Sequence, residues 1–307
     1  MPSLEPMNLP GDFVKNIRNA FPAEAESWLA RLPVLLEEAA ARWDLTIGEP
    51  FLLSYNYVCT ATRADGTPAV LKVGVPNQEL TSEINTLRVY AGQGACRIYE
   101  GDSERGMLLL ERLIPGTMLV TLEDDDRATG IAADVLKQTQ RPVPREAGFL
   151  SLRKWFGELK KVRLLFNRGS GPFPEKTFSL VEGLIEELFA EARPDVLLHG
   201  DFHHYNILLS ERGWLVIDPK GVAGPAEYDP GPLLTNPYTY MPEEKEAIRR
   251  TQRRIAILAE RAGFEPERLR LWGICHCVLS SYWDMQPDGT GGENARAWAE
   301  ILIKTKV

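Results

Sequence analysis

The sequence predicts an α+β protein in two lobes: an antiparallel β-sheet lobe with one key helix, then a mainly helical lobe carrying a β-hairpin. A length of 307 residues exceeds what one hydrophobic core usually serves. Strand-like apolar runs cluster in the earlier part of the chain, whereas helical periodicity dominates after Pro115-Gly116. The exception in the later part is NILLSERGWLVIDP, two short apolar runs joined by Ser210 to Gly213, which reads as a hairpin.

Taken in order, Phe13 to Leu45 is amphipathic and helical, with Trp28, Leu29, Leu32, Leu35 and Leu36 at helix spacing, and Thr46 to Pro50 forms a polar boundary. This stretch, 1–46, is expected to be an N-terminal helical extension. The runs PFLLSYNYVCTAT, PAVLKVGV and GMLLLERL follow as strands, the second introduced by the turn signal Asp65-Gly66. Between the second and third runs Pro76-Asn77 opens a helix with Leu80, Ile84 and Leu87 on one face and Glu79 and Glu83 one turn apart. Pro115-Gly116 closes this lobe, so 47–114 and 115–307 are the expected lobes. Helical patterns then lie near Thr121–Thr139, Leu150–Leu165, Pro174–Ala192, Pro242–Ala262, Pro266–Trp283 and Glu293–Ile303. The acidic run Glu123 to Asp126 fits a solvated helix start better than a metal site.

A formal net charge of -8 argues against a nucleic-acid partner, which would require a basic face, and would welcome a cationic small molecule. No stretch approaches the roughly 18 to 20 apolar residues that span a bilayer, and Met1 to Gly11 has no secretory n- and h-region, so a cytosolic protein is expected. Cys275-His276-Cys277 lacks two further ligands at zinc spacing, and WGICHCVLS reads as a buried helix with small apolar thiols. Oligomeric state is left open.

The chemistry concentrates in LLHGDFHHYNILLSERGWLVIDPKG, which places Asp201 and Asn206 in the loop entering the hairpin and Asp218 at its end. Phosphoryl transfer needs a positioned hydroxyl and metal ions that neutralise the phosphates. Asp201 can orient an acceptor hydroxyl and receive its proton. Asn206 and Asp218, brought together by strand pairing, can offer oxygen ligands to Mg²⁺.

H-G-D-x-x-x-x-N followed by a hairpin and I-D-P resembles the catalytic and metal-binding segments of the aminoglycoside phosphotransferase family, small-molecule relatives of the protein kinases. The resemblance implies a bilobal protein-kinase-like fold, ATP as co-substrate, Asp201 as the catalytic aspartate, Asn206 and Asp218 as Mg²⁺ ligands, and His199 as a loop organiser. AVLKVG resembles the kinase strand V-A-I-K, which implies that Lys72 holds the α- and β-phosphates and that Glu83 pairs with it, with Glu79 as fallback. LLLERLIPG resembles the hinge, where backbone groups of about Glu111 to Leu113 would bond the adenine edge. No G-x-G-x-x-G precedes Lys72, so the phosphate loop would rely on Ser54 and backbone N–H groups, and the lack of A-P-E after Asp218 argues against a protein substrate.

PKGVAGPAEYDPGPLLTNP, with HGDFHHYNIL and LLLERLIPG, resembles the streptomycin 6-phosphotransferase and hydroxyurea phosphotransferase branch. Antibiotic resistance by phosphorylation of streptomycin is the activity this branch implies, with hydroxyurea or another metabolite as the alternative acceptor and a nucleotide-binding regulator as an alternative of another class. A guanidinium-bearing acceptor calls for carboxylates and a flat wall, for which Glu227, Asp229, Asp284 and Asp288 with Trp283 or Tyr282 are candidates. Lys220 either neutralises phosphate charge or pairs with Glu227.

Overall fold

Pro22 and Asp44 punctuate the N-terminal helices. Proline lacks the N–H needed to continue a helix, and the chain forms α1 (Gly11–Ala20) and α2 (Ala25–Trp43) rather than one run. Asp44 takes a left-handed conformation, φ 50°, and ends α2. The computed structural model describes residues 8–145, 148–190, 194–237, 241–286 and 288–307. It divides into two compact units, one reaching to Gly92 and including Cys96–Ile114, the other joining Gln93–Ala95 to Pro115–Val307.

In the first unit the boundary expected at Thr46 to Pro50 is instead a strand, β1 (Leu45–Pro50), paired antiparallel with β2 (Tyr57–Arg63). It is a largely exposed edge strand, so no apolar alternation marks it in sequence. The strand expected to start at Pro50 begins only at Tyr57; Phe51, Leu52 and Tyr55 lie exposed before it. Next come β3 (Pro68–Val73), α3 (Gln78–Tyr90), β4 (Ile98–Asp102) and β5 (Met107–Glu111), giving the sheet order β1-β2-β3-β5-β4 with antiparallel neighbours throughout. β4, also unread in sequence, is only partly buried.

Alternation along β3 sorts its two faces. Ala69, Leu71 and Val73 join Phe13, Ile17, Trp28 and Leu32 in one core cluster, so α1 and α2 are packed into this unit. Val70 and Lys72 point the other way, and Lys72 meets α3. Asn77 caps α3 by accepting the Leu80 N–H at 2.8 Å. Gly106 (φ +71°) lets β3 and β5 close together, since a Cβ there would lie 2.1 Å from the Gly74 carbonyl oxygen.

In the second unit β6 (Pro115–Met118) joins the hairpin β10 (Ile207–Ser210) and β11 (Gly213–Val216) in the order β11-β10-β6. A second sheet orders β7 (Arg141–Pro142), β9 (Val196–Leu198), β12 (Val222–Gly224) and β8 (Leu150–Ser151) as β7-β9-β12-β8. The helices are α4 (Asp125–Thr139), α5 (Leu152–Gly157), α6 (Lys160–Leu165), α7 (Glu175–Ala190), α8 (Gly231–Thr235), α9 (Glu244–Ala262), α10 (Pro266–Asp284) and α11 (Glu293–Lys304).

The acidic run does start α4: Asp124 caps it, and Asp125 and Asp126 pair with Arg254 and Arg253. The single helix expected over Leu150–Leu165 starts only at Leu152, because Leu150-Ser151 pairs in parallel with β12, a long-range contact with no local signature, and it is divided into α5 and α6. The expected end of the Pro174 helix at Ala192 lies outside the described residues. Cys275, His276 and Cys277 are buried in α10, where burial pushes both thiols up. Among the described residues, no helix is long and apolar enough to cross a membrane.

Candidate active site

β9 delivers the chain to the H-G-D loop, and His199 stitches that loop to the far end of the hairpin. Its Nδ1 accepts the Asp201 N–H at 3.2 Å, which leaves the proton on Nε2 to donate to the Ile217 carbonyl at 2.9 Å. Burial pushes the fully enclosed imidazole down to about 4, so it holds this neutral tautomer through the physiological range. Its own carbonyl accepts the Lys220 N–H at 2.7 Å. Gly200, at φ +82°, passes so close to β12 that a Cβ would lie 2.7 Å from Val222 Cγ2.

Beneath the loop, Asp229 accepts the His199 N–H on one carboxylate oxygen and the Gly200 N–H on the other, both at 2.8 Å. Burial pushes its carboxyl up to about 7 against the pull of those two donors, and the Asp201 charge adds to the rise. Glu227, also buried, pairs with Arg268 of α10 at 3.3 Å, and Tyr228 between them hydrogen-bonds His276 at 3.0 Å. Glu227 and Asp229, expected on a pocket wall, are both buried here with donors of their own. A carboxylate wholly enclosed with its own donors supports the loop from behind.

Asp201 is partly exposed. Burial on its inner side would raise the carboxyl, but the His203 hydrogen bond, with the nearby positive charge of Lys220, holds it below the usual carboxylate range. Asn206 donates its amide to the Asp201 carbonyl at 3.0 Å, which turns Oδ1 away from that bond. The Asn206 carbonyl accepts the Ile217 N–H at 3.0 Å, extending the β10–β11 ladder by one step and setting Asn206 beside Asp218. Asp218 itself lies in the left-handed region, φ 59°, a conformation disfavoured for a side-chain-bearing residue and concentrated at functional sites.

The donor set fits Mg²⁺. Among the described residues no group of three His, Cys, Asp or Glu side chains forms a metal cage. One amide oxygen and one carboxylate match an ion that keeps several waters and takes few protein ligands besides phosphate oxygens.

In the first unit both carboxylate oxygens of Glu83 accept from Lys72 Nζ, at 2.8 and 2.7 Å, with both side chains buried. The strand and the helix thus hold the ammonium at a defined point, while Glu79, one turn earlier, is exposed. Ser54 sits exposed in the β1–β2 connection, its carbonyl facing the Asn16 amide at 3.3 Å. At the expected hinge the Glu111 N–H is already committed to the Arg97 carbonyl at 2.8 Å, and the Glu111 carboxylate accepts the Arg97 N–H at 2.9 Å. Leu113 is a buried neighbour.

The remaining acceptor candidates gather at the end of α10. Trp283 is 46% exposed and meets Trp155 of α5 edge-on, ring centroids 5.0 Å apart. Trp155, which sequence reasoning missed, reaches the H-G-D loop: a Cβ on Gly200 would lie 3.3 Å from its ring tip. Burial, then the Glu293 charge, pushes the Asp284 carboxyl up. Burial also pushes the Tyr282 phenol up, and Asp288 closes a turn onto Thr290. Sequence reasoning missed His203 as well, although a titratable ring two residues from Asp201 is a signal present in the motif itself.

Residues 43–289 match the model of the aminoglycoside/hydroxyurea antibiotic resistance kinases. The streptomycin 6-kinase of Streptomyces glaucescens is 31% identical over 92% of this chain and 92% of that protein. The hydroxyurea phosphotransferase of Kitasatospora aureofaciens is 31% identical over 92% of this chain and 82% of its own. Among solved structures, a choline kinase from Streptococcus pneumoniae is 14% identical and superposes with a TM-score of 0.62 over 90% of this chain and 99% of that one, a likeness of fold. With its β-sheet and α3 in one unit and its hairpin in a helical second, this chain has the protein-kinase-like fold, and it belongs to the family of aminoglycoside/hydroxyurea antibiotic resistance kinases.

Proposed function

We propose that this kinase transfers the γ-phosphate of Mg·ATP to a hydroxyl of a cationic aminoglycoside, streptomycin first among the acceptors. The observation that carries the reaction type is the Asp201 carboxylate, hydrogen-bonded by His203 on a loop that His199 and Asp229 hold from behind and whose Asp201 carbonyl accepts the Asn206 amide. Asp201 stays ionised at working pH and takes the hydroxyl proton late, as the oxygen bonds to the γ-phosphorus and ADP departs. Asn206 Oδ1 and the Asp218 carboxylate would hold Mg²⁺, which when bound neutralises phosphate charge. Lys72, braced by Glu83, serves as a point charge for phosphate oxygens.

Acceptor choice rests on the streptomycin-named relative and on the aromatic and acidic end of α10. The hydroxyurea phosphotransferase relative favours hydroxyurea as the second acceptor. The net charge of -8 supports a cationic small molecule over a nucleic acid, and a reaction that consumes ATP fits action in the cytoplasm. An ADP-release assay with streptomycin, other aminocyclitols and hydroxyurea tests this. Release with streptomycin is the expected result, and release with none of them above background overturns it.

A further inference from the structure

Three histidines lie within six residues of the H-G-D motif, and their surroundings separate them. His199 ties the loop to Ile217. His204 is buried on the other side of the turn, 3% exposed, where the charges of Arg254 and Asp125 reach it. His203 faces Asp201, its Nε2 lying 3.2 Å from Oδ1.

The direction of that contact follows from the other ring nitrogen. His203 caps the short 3-10 turn His204–Asn206, its Nδ1 accepting the Tyr205 N–H at 3.3 Å. A nitrogen that accepts carries no proton, so the proton sits on Nε2 and points at Asp201 Oδ1. The ring is held edge-on to Tyr205, centroids 5.8 Å apart, and its side chain is 16% exposed. Oδ2 meets the Asn206 amide at 3.4 Å, a much weaker contact than a well-formed hydrogen bond. The two oxygens of Asp201 are therefore unequal, with Oδ1 occupied by the His203 donor and Oδ2 retaining lone pairs for an incoming hydroxyl.

We infer that His203 is a positioning residue for phosphoryl transfer, its Nε2–H fixing the Asp201 carboxylate so that Oδ2 receives the acceptor's proton. This rests on the assignment of Asp201 as proton acceptor. A misplacement of about 1 Å in a reacting group can cost about a hundredfold, so loss of the anchor falls on kcat and leaves both KM values nearly alone.

Two isosteric replacements separate this role from helix capping. The Asn carbonyl oxygen stands where Nδ1 stands and preserves the cap, whereas the Gln amide nitrogen reaches where Nε2 reaches and preserves the donor. Expected for His203→Asn is a kcat lower by about tenfold to a hundredfold, with KM for ATP and for streptomycin within about twofold and an unchanged melting temperature; His203→Gln recovers most of the loss. Wild-type kcat in His203→Asn overturns the inference. So does a pattern in which Asn rescues and Gln does not, since that is the signature of a cap alone. Asp201→Ala run alongside isolates the underlying assignment: turnover surviving there overturns the proton-acceptor reading itself, whereas turnover lost there but intact in His203→Asn overturns only the role of His203.

Discussion

Two acidic segments of the second unit meet on opposite sides of one loop and do opposite things. Asp201 stands on the loop, partly exposed, with its carboxyl held down by a hydrogen bond and a nearby ammonium. Asp229 stands behind it, buried, with its carboxyl pushed up to about 7 and both oxygens taken by backbone N–H groups. On the proposed reading, what separates an aspartate that does chemistry from one that supports it is whether a lone pair remains for a substrate. Residue type and distance along the chain do not distinguish them.

Removing each carboxylate tests that contrast directly. Asp201→Ala should lower kcat by about a thousandfold or more, at the upper range for a lost general base, while Mg·ATP affinity measured by calorimetry and the melting temperature stay near wild type. Asp229→Ala should lower kcat by less, about tenfold to a hundredfold through the misplaced loop, and lower the melting temperature as well, because two buried N–H groups lose their acceptor. An Asp229 variant with unchanged melting temperature and kcat but a raised acceptor KM would return Asp229 to the pocket wall and break the comparison.

The candidate site was legible in sequence because it is local. His199 to Asn206 and the hairpin to Asp218 are a contiguous stretch, and the spacing that pairs β10 with β11 also sets Asn206 beside Asp218. Lys72 and Glu83 were legible for a similar reason, being eleven residues apart on a strand and the helix that follows it. What escaped depends on distant contacts. Glu227 finds Arg268 forty-one residues later, and Trp155 meets Trp283 from another helix, so neither partner is marked by periodicity or spacing. β1 escaped because an exposed edge strand shows no apolar alternation, and β8 because its two residues pair with the distant β12.

Glu227 offers a sharper version of the same contrast, since its effect should fall on stability. Both it and Arg268 are nearly enclosed, at 3% and 6% side-chain exposure, and removing one partner of such a buried pair costs about 3–5 kcal/mol. Glu227→Gln should therefore lower the denaturant midpoint markedly, with acceptor KM unchanged within about twofold in protein that remains folded. A raised KM at unchanged stability would show that this carboxylate reaches the acceptor after all.

Trp283 should give the smallest effect and the one most specific to the acceptor. Its ring is partly exposed and rests edge-on against Trp155, whose tip lies over Gly200 next to Asp201. A cation over an exposed aromatic face is worth about 0.5–1 kcal/mol, so Trp283→Ala should raise the KM for streptomycin about twofold to fivefold with kcat nearly unchanged. The sign of the charge supplies the control. Hydroxyurea carries no cation, so its KM should not move in the same variant if the ring acts through its π face. An equal rise for both acceptors would mean that Trp283 serves by packing Trp155 into place, and the cationic preference would then have to come from carboxylates such as Asp284, the acidic side chain that follows it on α10.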